Sequence, residues 1–278
     1  MWFPSGPDEF RFVRFHLRAA TMAAIYARGS GRRILLIHGN SSCKEIWINQ
    51  VVALSGAGHT VIAPDLPGHG QSGNARDARF SYSFPGYGKT VSELLDHLGW
   101  SSVDVVGWSL GGHIGLELLA TDDRVSSLVI VGAPPARLSP RALGEAFYPT
   151  PTMMLAGKAS LSTSEARAYA AAMLGDTALV RPHFERSLLR TDGKARWWMF
   201  RNAMKGVGAD QREVVERTKK PVCVIHGEQE AFVRLEYLES VQYRELWSGR
   251  VQVIRGAGHA PHWQCPRTFN ETLLDFLG

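Results

Sequence analysis

Residues 104–115 read DVVGWSLGGHIG, and in this segment Ser109 has a glycine two positions before it and another two positions after it. Residues 103–106 predict a buried strand and the residues after the serine predict a helix, so G-x-S-x-G fills a strand-to-helix turn. In such a tight turn, a side chain at Gly107 or Gly111 would collide with neighbouring backbone. The turn therefore presents Ser109 at a helix N-terminus, where developing negative charge is favoured. A glycine-rich turn with an N-cap serine is the alternative interpretation.

Around this turn, short β-branched segments alternate with longer amphipathic segments, which predicts an α/β fold with a mostly parallel sheet flanked by helices. Eight strands are predicted near 10–17, 22–27, 33–38, 60–64, 103–107, 125–131, 221–226 and 250–255. Helices are predicted near 45–55, 87–98, 110–120, 235–245 and 266–277. Only a few residues separate the first two strands, which favours an antiparallel hairpin at the sheet edge.

Residues 134–220 break the alternation, because they contain no strand pattern while 161–174 and 183–204 have helical spacing. An insertion of this length after the sixth strand predicts a helical cap over the carboxyl edge of the sheet, where α/β proteins bind ligands. We therefore expect residues 1–133 and 221–278 to form an α/β core and residues 134–220 to form the cap.

Composition places the chain among globular proteins, since 45% of its 278 residues are apolar and 21% are charged. Its longest apolar runs are strand-sized, far below the roughly 20 residues that cross a bilayer, so no membrane association is expected. Charged residues interrupt the N-terminal MWFPSGPDEFRFVRF, where a secretory signal needs an apolar run. We therefore expect a cytoplasmic protein.

The charged residues and cysteines exclude further classes. A net charge of +5 is spread along the chain without a dense cluster, so no nucleic-acid partner is expected. The three cysteines are widely spaced and form no CxxC pattern, which predicts neither a disulfide framework nor a zinc site. We expect no metal and no cofactor, and a small molecule as the partner. The sequence leaves the oligomeric state open.

A serine hydroxyl needs a base before it can attack, and the base needs a carboxylate that fixes its tautomer. His259, in the loop GAGHAPH before the last helix, is the predicted base, whereas His262 is interpreted as a loop or packing histidine. In the loop GEQEAFV, Glu230 is preferred to Glu228 because Glu230 lies beyond the end of the preceding strand, whereas Glu228 lies nearer to it. The predicted catalytic residues are Ser109, His259 and Glu230, with the choice between the two glutamates left to the structure.

Acyl transfer also requires hydrogen-bond donors for the oxyanion. We predict the backbone N–H of Leu110, next to the nucleophile, and that of Asn40, where Gly39 allows close approach. The Asn40 side chain either contacts the substrate or braces its loop. Asp65 is interpreted as a structural loop acid and Cys43 as an inert thiol.

The motifs HGNSS, APDLPGHGQS, GWSLGGHIG, the acid after PVCVIHG and the histidine in GAGHAPH together resemble those of α/β-hydrolase-fold enzymes. Within that superfamily the chain resembles the metal-independent N-acyl-homoserine lactonases, which open the lactone ring of bacterial quorum-sensing signals. The finer similarity lies in LAGKASLSTSEARAYA, RTDGKAR and GEQEAFVRLEYLESV. It implies a glutamate as triad acid, here Glu230, and substrate contacts from Asn40 and Tyr169. We also expect Trp108 to contact the substrate.

Two departures from that family concern specificity. Gln229 and Ala231 flank the glutamate where an aspartate and a proline are expected, and Trp197 and Trp198 stand at a place that the family does not fix. Both tryptophans are candidates either for lining an acyl pocket or for the core of the cap. The expected function is quorum quenching by a serine lactonase that forms an acyl-enzyme. The alternatives are a carboxylesterase of small acyl esters, a C–C bond hydrolase, and a non-catalytic signal-binding protein. Acyl-chain preference stays open.

Overall fold

One mixed sheet organises the chain in the computed structural model, which describes residues 10–175 and 182–278. Within these residues the strands are β1 (Phe10–His16), β2 (Thr21–Ala27), β3 (Arg33–Ile37), β4 (Thr60–Pro64), β5 (Val103–Trp108), β6 (Val125–Val131), β7 (Val222–Gly227) and β8 (Gln252–Ile254). They lie in the order β1-β2-β4-β3-β5-β6-β7-β8. The pairs β1–β2 and β2–β4 are antiparallel and the others are parallel. The predicted eight-stranded, mostly parallel sheet is therefore confirmed.

Helices connect most of the strands and fill much of the long segment between β6 and β7. In chain order they are α1 (Ile48–Gly56), α2 (Ala78–Ser81), α3 (Phe84–Leu98), α4 (Leu110–Thr121), α5 (Pro140–Ala146), α6 (Pro151–Met154), α7 (Thr163–Leu174), α8 (Pro182–Arg190), α9 (Gly193–Met204), α10 (Gln211–Arg217), α11 (Leu235–Ser240), α12 (Pro261–Gln264) and α13 (Pro266–Leu277). Helices α1, α12 and α13 pack together, as do α3, α4 and α10. Among the described residues, no helix is both long and apolar enough to span a membrane.

The central strands are mostly buried, which explains their largely apolar sequence. All residues of β4 and β5 are buried, as expected for strands covered on both faces. Asp104 is a charged residue within the buried strand β5, and its carboxylate accepts a hydrogen bond from Ser127 Oγ at 2.7 Å. The buried strands β3, β5 and β6 thus form a rigid centre from which the loops at their carboxyl ends project.

Helix α11 is shorter than the predicted helix over 235–245, because the chain after Ser240 pairs with the sheet instead. Val241 is extended, Val222 N donates to Glu245 O at 2.9 Å, and Val222 and Leu246 form a parallel bridge. Backbone pairing with the first residue of β7 replaces the last helical turns there. The expected helix end near 245 is therefore wrong by about one and a half turns.

The segment between β6 and β7 contains helices α5 to α10, as the helical spacing predicts. It contacts loops at the carboxyl ends of two strands. Ser187 Oγ donates to Ser42 O at 3.1 Å after β3, and Asp192 N donates to Gly68 O at 2.8 Å after β4. The described part of the insertion thus lies against the edge where the site is expected. The division into a core of 1–133 and 221–278 and a cap of 134–220 stays a prediction.

A fully buried lysine joins the loops after β3 and β4. The Nζ atom of Lys44 lies 2.9 Å from Asp65 Oδ2 and 2.8 Å from Glu45 Oε1. Asp65 also accepts hydrogen bonds from the backbone N–H of Lys44 at 2.7 Å and of Gln71 at 2.8 Å. Burial alone would lower the pKa of Lys44, but the charges of the two carboxylates raise it. These contacts support the structural role predicted for Asp65.

The exchange Lys44→Met tests this buried ion pair. Removing one partner leaves buried carboxylate charge without compensation, so we expect the free energy of unfolding to fall by about 3–5 kcal/mol. Urea unfolding followed by circular dichroism measures the change. Lys89→Met, at an exposed lysine on α3, is the matched control. A loss below about 1 kcal/mol for Lys44→Met, typical of a surface pair, would contradict the structural role.

Candidate active site

Ser109 stands between β5 and α4 with φ 53° and ψ −115°, a backbone conformation that non-glycine residues rarely adopt. Its N–H donates to Val131 O at 2.7 Å, which ties the turn to the neighbouring strand. A Cβ at Gly107 would overlap the carbonyl of Gly111, and a Cβ at Gly111 would overlap that of Ile37. Only glycine fits at both positions, as the sequence predicts, and the turn holds a partly exposed serine.

His259 and Glu230 form a buried pair, because the loops after β8 and β7 lie side by side. His259 Nδ1 lies 2.8 Å from Glu230 Oε2, and the exposed fractions of the two side chains are 4% and 1%. Phe232 N donates to Glu230 Oε1 at 2.8 Å. Burial alone would raise the pKa of Glu230, but the charge of His259 and these hydrogen bonds lower it below its ordinary value. An ionised Glu230 therefore accepts from Nδ1–H of His259 and leaves Nε2 available as a base.

Three neighbours fix the position of His259. Gly132 has φ 58°, and a Cβ there would lie 2.8 Å from His259 Cε1. Trp108 Nε1 donates to His259 O at 2.7 Å, and the Phe232 ring packs edge-on at 4.8 Å between centroids. Trp108 is fully buried, and its indole N–H is used in the hydrogen bond to the His259 carbonyl. The predicted substrate contact of Trp108 stays a prediction.

The structure separates the preferred residues from their competitors. Glu228 Oε2 accepts a hydrogen bond from Gly256 N at 2.9 Å, whereas Glu230 pairs with His259. His262 is fully buried and stacks on Trp47 at 4.2 Å. Burial and then the charge of His259 lower the pKa of His262 well below its ordinary value. His262 is thus a neutral packing histidine.

The two predicted oxyanion donors have no hydrogen-bond acceptor among the described residues. Within residues 10–175 and 182–278, neither the backbone N–H of Asn40 nor that of Leu110 donates a hydrogen bond. Gly39 lets the loop approach β5, since a Cβ there would lie 2.8 Å from the ring of Trp108. Both amides are therefore free for a ligand oxygen.

The side chain of Asn40 braces its loop against the insertion. Asn40 Nδ2 donates to Ala156 O at 2.9 Å, and the side chain also hydrogen bonds with the Tyr169 hydroxyl. Burial raises the pKa of Tyr169 to about 12, and the hydrogen bond with Asn40 opposes this shift. Of the two roles that the sequence left open for Asn40, the bracing contact is present, and Tyr169 lies beside it.

Ser109 and His259 line one small cavity, which places the predicted nucleophile and base together. The remaining lining residues are mostly apolar, and they are Phe147, Met153, Ala156, Tyr169, Met173 and Phe232. Of these lining residues, the sequence analysis named only Tyr169, through the family resemblance. The other lining residues were missed because the helical pattern of the insertion does not show which helix face lies toward the serine. Phe232 alone carried a signal, since it lies two residues after Glu230.

The two tryptophans of the insertion pack on each other. Trp197 and Trp198 have ring centroids 4.6 Å apart, and Trp197 is 40% exposed. Neither is among the residues that line the cavity beside Ser109.

Cys43 is buried, and burial followed by the charges of Glu45 and Asp65 raises its thiol pKa well above the ordinary value, consistent with an inert thiol. No group of three or more metal-binding side chains occurs in the described ranges.

The exchange Glu230→Gln tests which glutamate supports His259. We expect kcat for a p-nitrophenyl ester to fall by about 10²–10⁴-fold, because the neutral amide stabilises neither the required tautomer nor the imidazolium. Glu228→Gln is the matched control and is expected to change kcat by less than about tenfold, since the hydrogen bond of Glu228 is to the backbone N–H of Gly256 and not to His259. Steady-state kinetics at neutral pH decide the matter, and a larger fall for Glu228→Gln would reverse the assignment.

Comparison with known proteins agrees with this geometry. A sequence model of the alpha/beta hydrolase fold family matches residues 32–266. The chain is similar to crystal structures of the N-acyl homoserine lactonase AidH, with 36% identity, a TM-score of 0.92 and coverage of 96% of both chains for the AidH complex with N-butanoyl homoserine. A mutant AidH complexed with N-hexanoyl homoserine lactone is similar to the same extent.

Two curated relatives are more distant. The esterase Rv0045c of Mycobacterium tuberculosis is 26% identical over 94% of this chain and 88% of its own length. A 2-hydroxy-6-oxononadienedioate/2-hydroxy-6-oxononatrienedioate hydrolase of Paraburkholderia phymatum is 28% identical over 90% of this chain and 88% of its own length. The match over most of the chain, on a sheet of the predicted topology, shows that the protein is a hydrolase and belongs to the alpha/beta hydrolase fold family.

Proposed function

We propose that the protein is a serine hydrolase that opens the lactone ring of N-acyl-homoserine lactones through an acyl-enzyme intermediate. The similarity to AidH over 96% of the chain carries the choice of substrate, because AidH has been crystallised with such a lactone and with ring-opened homoserines. Glu230 pairs with His259, and His259 lines one cavity together with Ser109, which supports the chemistry. Quorum quenching is the biological role that fits this reaction.

In the first half reaction, Ser109 Oγ attacks the lactone carbonyl while His259 Nε2 takes its proton. Glu230 stays ionised and stabilises the imidazolium that forms, which its lowered pKa favours. The backbone N–H groups of Leu110 and Asn40 hold the oxyanion. The helix that begins at Leu110 adds the partial positive charge of its N-terminus.

Collapse of the tetrahedral intermediate opens the ring. The leaving alkoxide stays attached to the acyl group, so His259 must protonate it before the ring recloses. Water then attacks the ester of Ser109, with His259 again acting as the base. Release of the N-acyl-homoserine acid restores the serine.

The apolar wall of the cavity suits an acyl chain. Phe147, Met153 and Met173 come from the insertion between β6 and β7, and Phe232 follows the triad acid. Burying each methylene of an acyl chain against such side chains is worth about 0.8 kcal/mol. Tyr169, which lines the same cavity, is the proposed polar contact for the substrate. The insertion then acts as a cap that excludes bulk water from the acyl-enzyme.

Ester hydrolysis and C–C bond hydrolysis are the competing reactions, since an esterase and a dienedioate hydrolase are among the relatives at 26% and 28% identity. Both would use the same three residues and differ in the shape of the pocket. The choice of substrate, and not the catalytic residues, separates these candidates.

Mass spectrometry of N-hexanoyl homoserine lactone incubated with the purified protein tests the proposed reaction. With a chelator and without added metal, we expect addition of one water to an otherwise intact molecule, and acidification is expected to restore the lactone. The Ser109→Ala variant is expected to leave the lactone unchanged, because it lacks the nucleophile. Survival of the lactone while simple esters are cleaved would overturn the substrate and favour a carboxylesterase.

Exchange of neighbouring methionines tests the acyl pocket. Met153 lines the cavity, whereas Met154 is 62% exposed. Met153→Trp fills space for the chain, so we expect the kcat/KM ratio of p-nitrophenyl hexanoate to acetate to fall by about tenfold, about the value of two buried methylenes. Met154→Trp is expected to leave this ratio unchanged. If the kcat/KM ratio is the same in Met153→Trp and Met154→Trp, the acyl chain does not lie beside Met153.

A further inference from the structure

A buried arginine of the insertion contacts the loop that carries the proposed oxyanion donor. Arg196 lies on α9 and is 2% exposed. Its guanidinium donates to the carbonyls of Lys158 at 2.7 Å, Ala159 at 3.1 Å and Leu188 at 3.1 Å. It also donates to Ser41 Oγ at 3.3 Å. Arg196 therefore joins two backbone segments of the insertion, residues 158–159 and Leu188, to one side chain after β3.

No carboxylate of the described residues forms an ion pair with the charge of Arg196, and all the contacts above are to uncharged oxygens. Burial lowers the pKa of Arg196, while Tyr169 and Asp192 oppose this shift from a distance. A guanidinium remains protonated in proteins. Lys44, the other buried cation near this loop, differs because two carboxylates compensate it.

Ser41, the residue that Arg196 contacts, has an unusual backbone. Its φ is 58°, a left-handed value that a serine adopts only when its surroundings impose it. Ser41 Oγ donates to Asn40 Oδ1 at 3.3 Å. The hydroxyl thus lies between the guanidinium and the residue whose backbone N–H is the proposed oxyanion donor. Arg196 is two hydrogen bonds from Asn40.

We propose that Arg196 is a positioning residue for the oxyanion loop, which holds Ser41 and through it aims the N–H of Asn40. Its uncompensated charge also favours the anionic tetrahedral intermediate over the neutral substrate, because charge in a buried site is weakly screened. This inference rests on the proposed acyl transfer by Ser109. It assigns to the insertion a part in transition-state stabilisation in addition to binding the acyl chain.

The exchange Arg196→Met tests the proposal with p-nitrophenyl butyrate and butylboronic acid. The boron atom accepts the Ser109 oxygen and becomes a tetrahedral anion as the serine proton moves to His259, so the adduct resembles the intermediate. We expect kcat and boronic acid affinity to fall together by about tenfold or more, with KM changed by less than about twofold. Lys194→Met, at an exposed cation on the same helix, is the control and is expected to match the wild type.

Ser41→Gly is the second variant, because glycine adopts the left-handed conformation without strain and the exchange removes the hydroxyl that Arg196 contacts. We expect kcat and boronic acid affinity to fall severalfold while the thermal unfolding midpoint stays at that of the wild type. This variant decides the matter if Arg196→Met does not fold. Arg196→Lys, which keeps the charge, is expected to recover part of the lost boronic acid affinity.

Two results separate failure of this inference from failure of the proposed function. Wild-type affinity for butylboronic acid and wild-type kcat in Arg196→Met or Ser41→Gly would overturn the positioning role alone. A loss confined to KM or to the thermal midpoint would likewise reduce Arg196 to a structural residue. If the wild type neither cleaves the ester nor binds the boronic acid, the acyl transfer by Ser109 fails and this inference fails with it.

Discussion

Three backbone segments approach one another closely around Ser109, and this contact fixes the backbone of the candidate nucleophile. The carbonyls of Ile37 and Gly111 leave no space for a Cβ at the two glycines of the turn, so β3, β5 and the first turn of α4 are in direct backbone contact. That contact imposes a left-handed conformation on the serine. The strain is tolerated because the buried parallel strands on both sides hold the turn from the outside.

The parallel sheet explains why residues far apart in sequence share one site. The strands from β3 to β8 that lie next to one another are all parallel, so the loops at their carboxyl ends meet at one edge. Asn40 follows β3, Ser109 follows β5, Glu230 follows β7 and His259 follows β8. Gly132, after the intervening β6, gives the imidazole the space that a side chain would fill. The strands β3, β5, β7 and β8 are therefore each followed by a residue of the proposed site, and β6 is followed by a glycine that leaves room for the imidazole.

The insertion between β6 and β7 contributes in two ways. Its apolar side chains form most of the wall beside Ser109. Its polar groups hold the loop after β3, through the carbonyl of Ala156, the hydroxyl of Tyr169 and the guanidinium of Arg196. Because these groups contact the loop that carries the proposed oxyanion donor, the insertion links the proposed binding of the acyl chain to the proposed stabilisation of the transition state.

The eight strands, the strand-to-helix turn, and the serine, histidine and acidic loop of the candidate site were predictable from the amino-acid sequence. These features are local, since period-two or continuous apolar patterns and paired glycines depend on neighbours within a few residues. The end of α11 escaped prediction because long-range pairing with Val222 outweighed local helical spacing. Three contacts became evident only in the folded chain. Glu230, and not Glu228, contacts His259. Met153 and Phe147 line the cavity with Ser109, and Arg196 donates a hydrogen bond to Ser41. Such contacts join residues up to 155 positions apart, and no pattern within one segment specifies which side chain of another will lie against it.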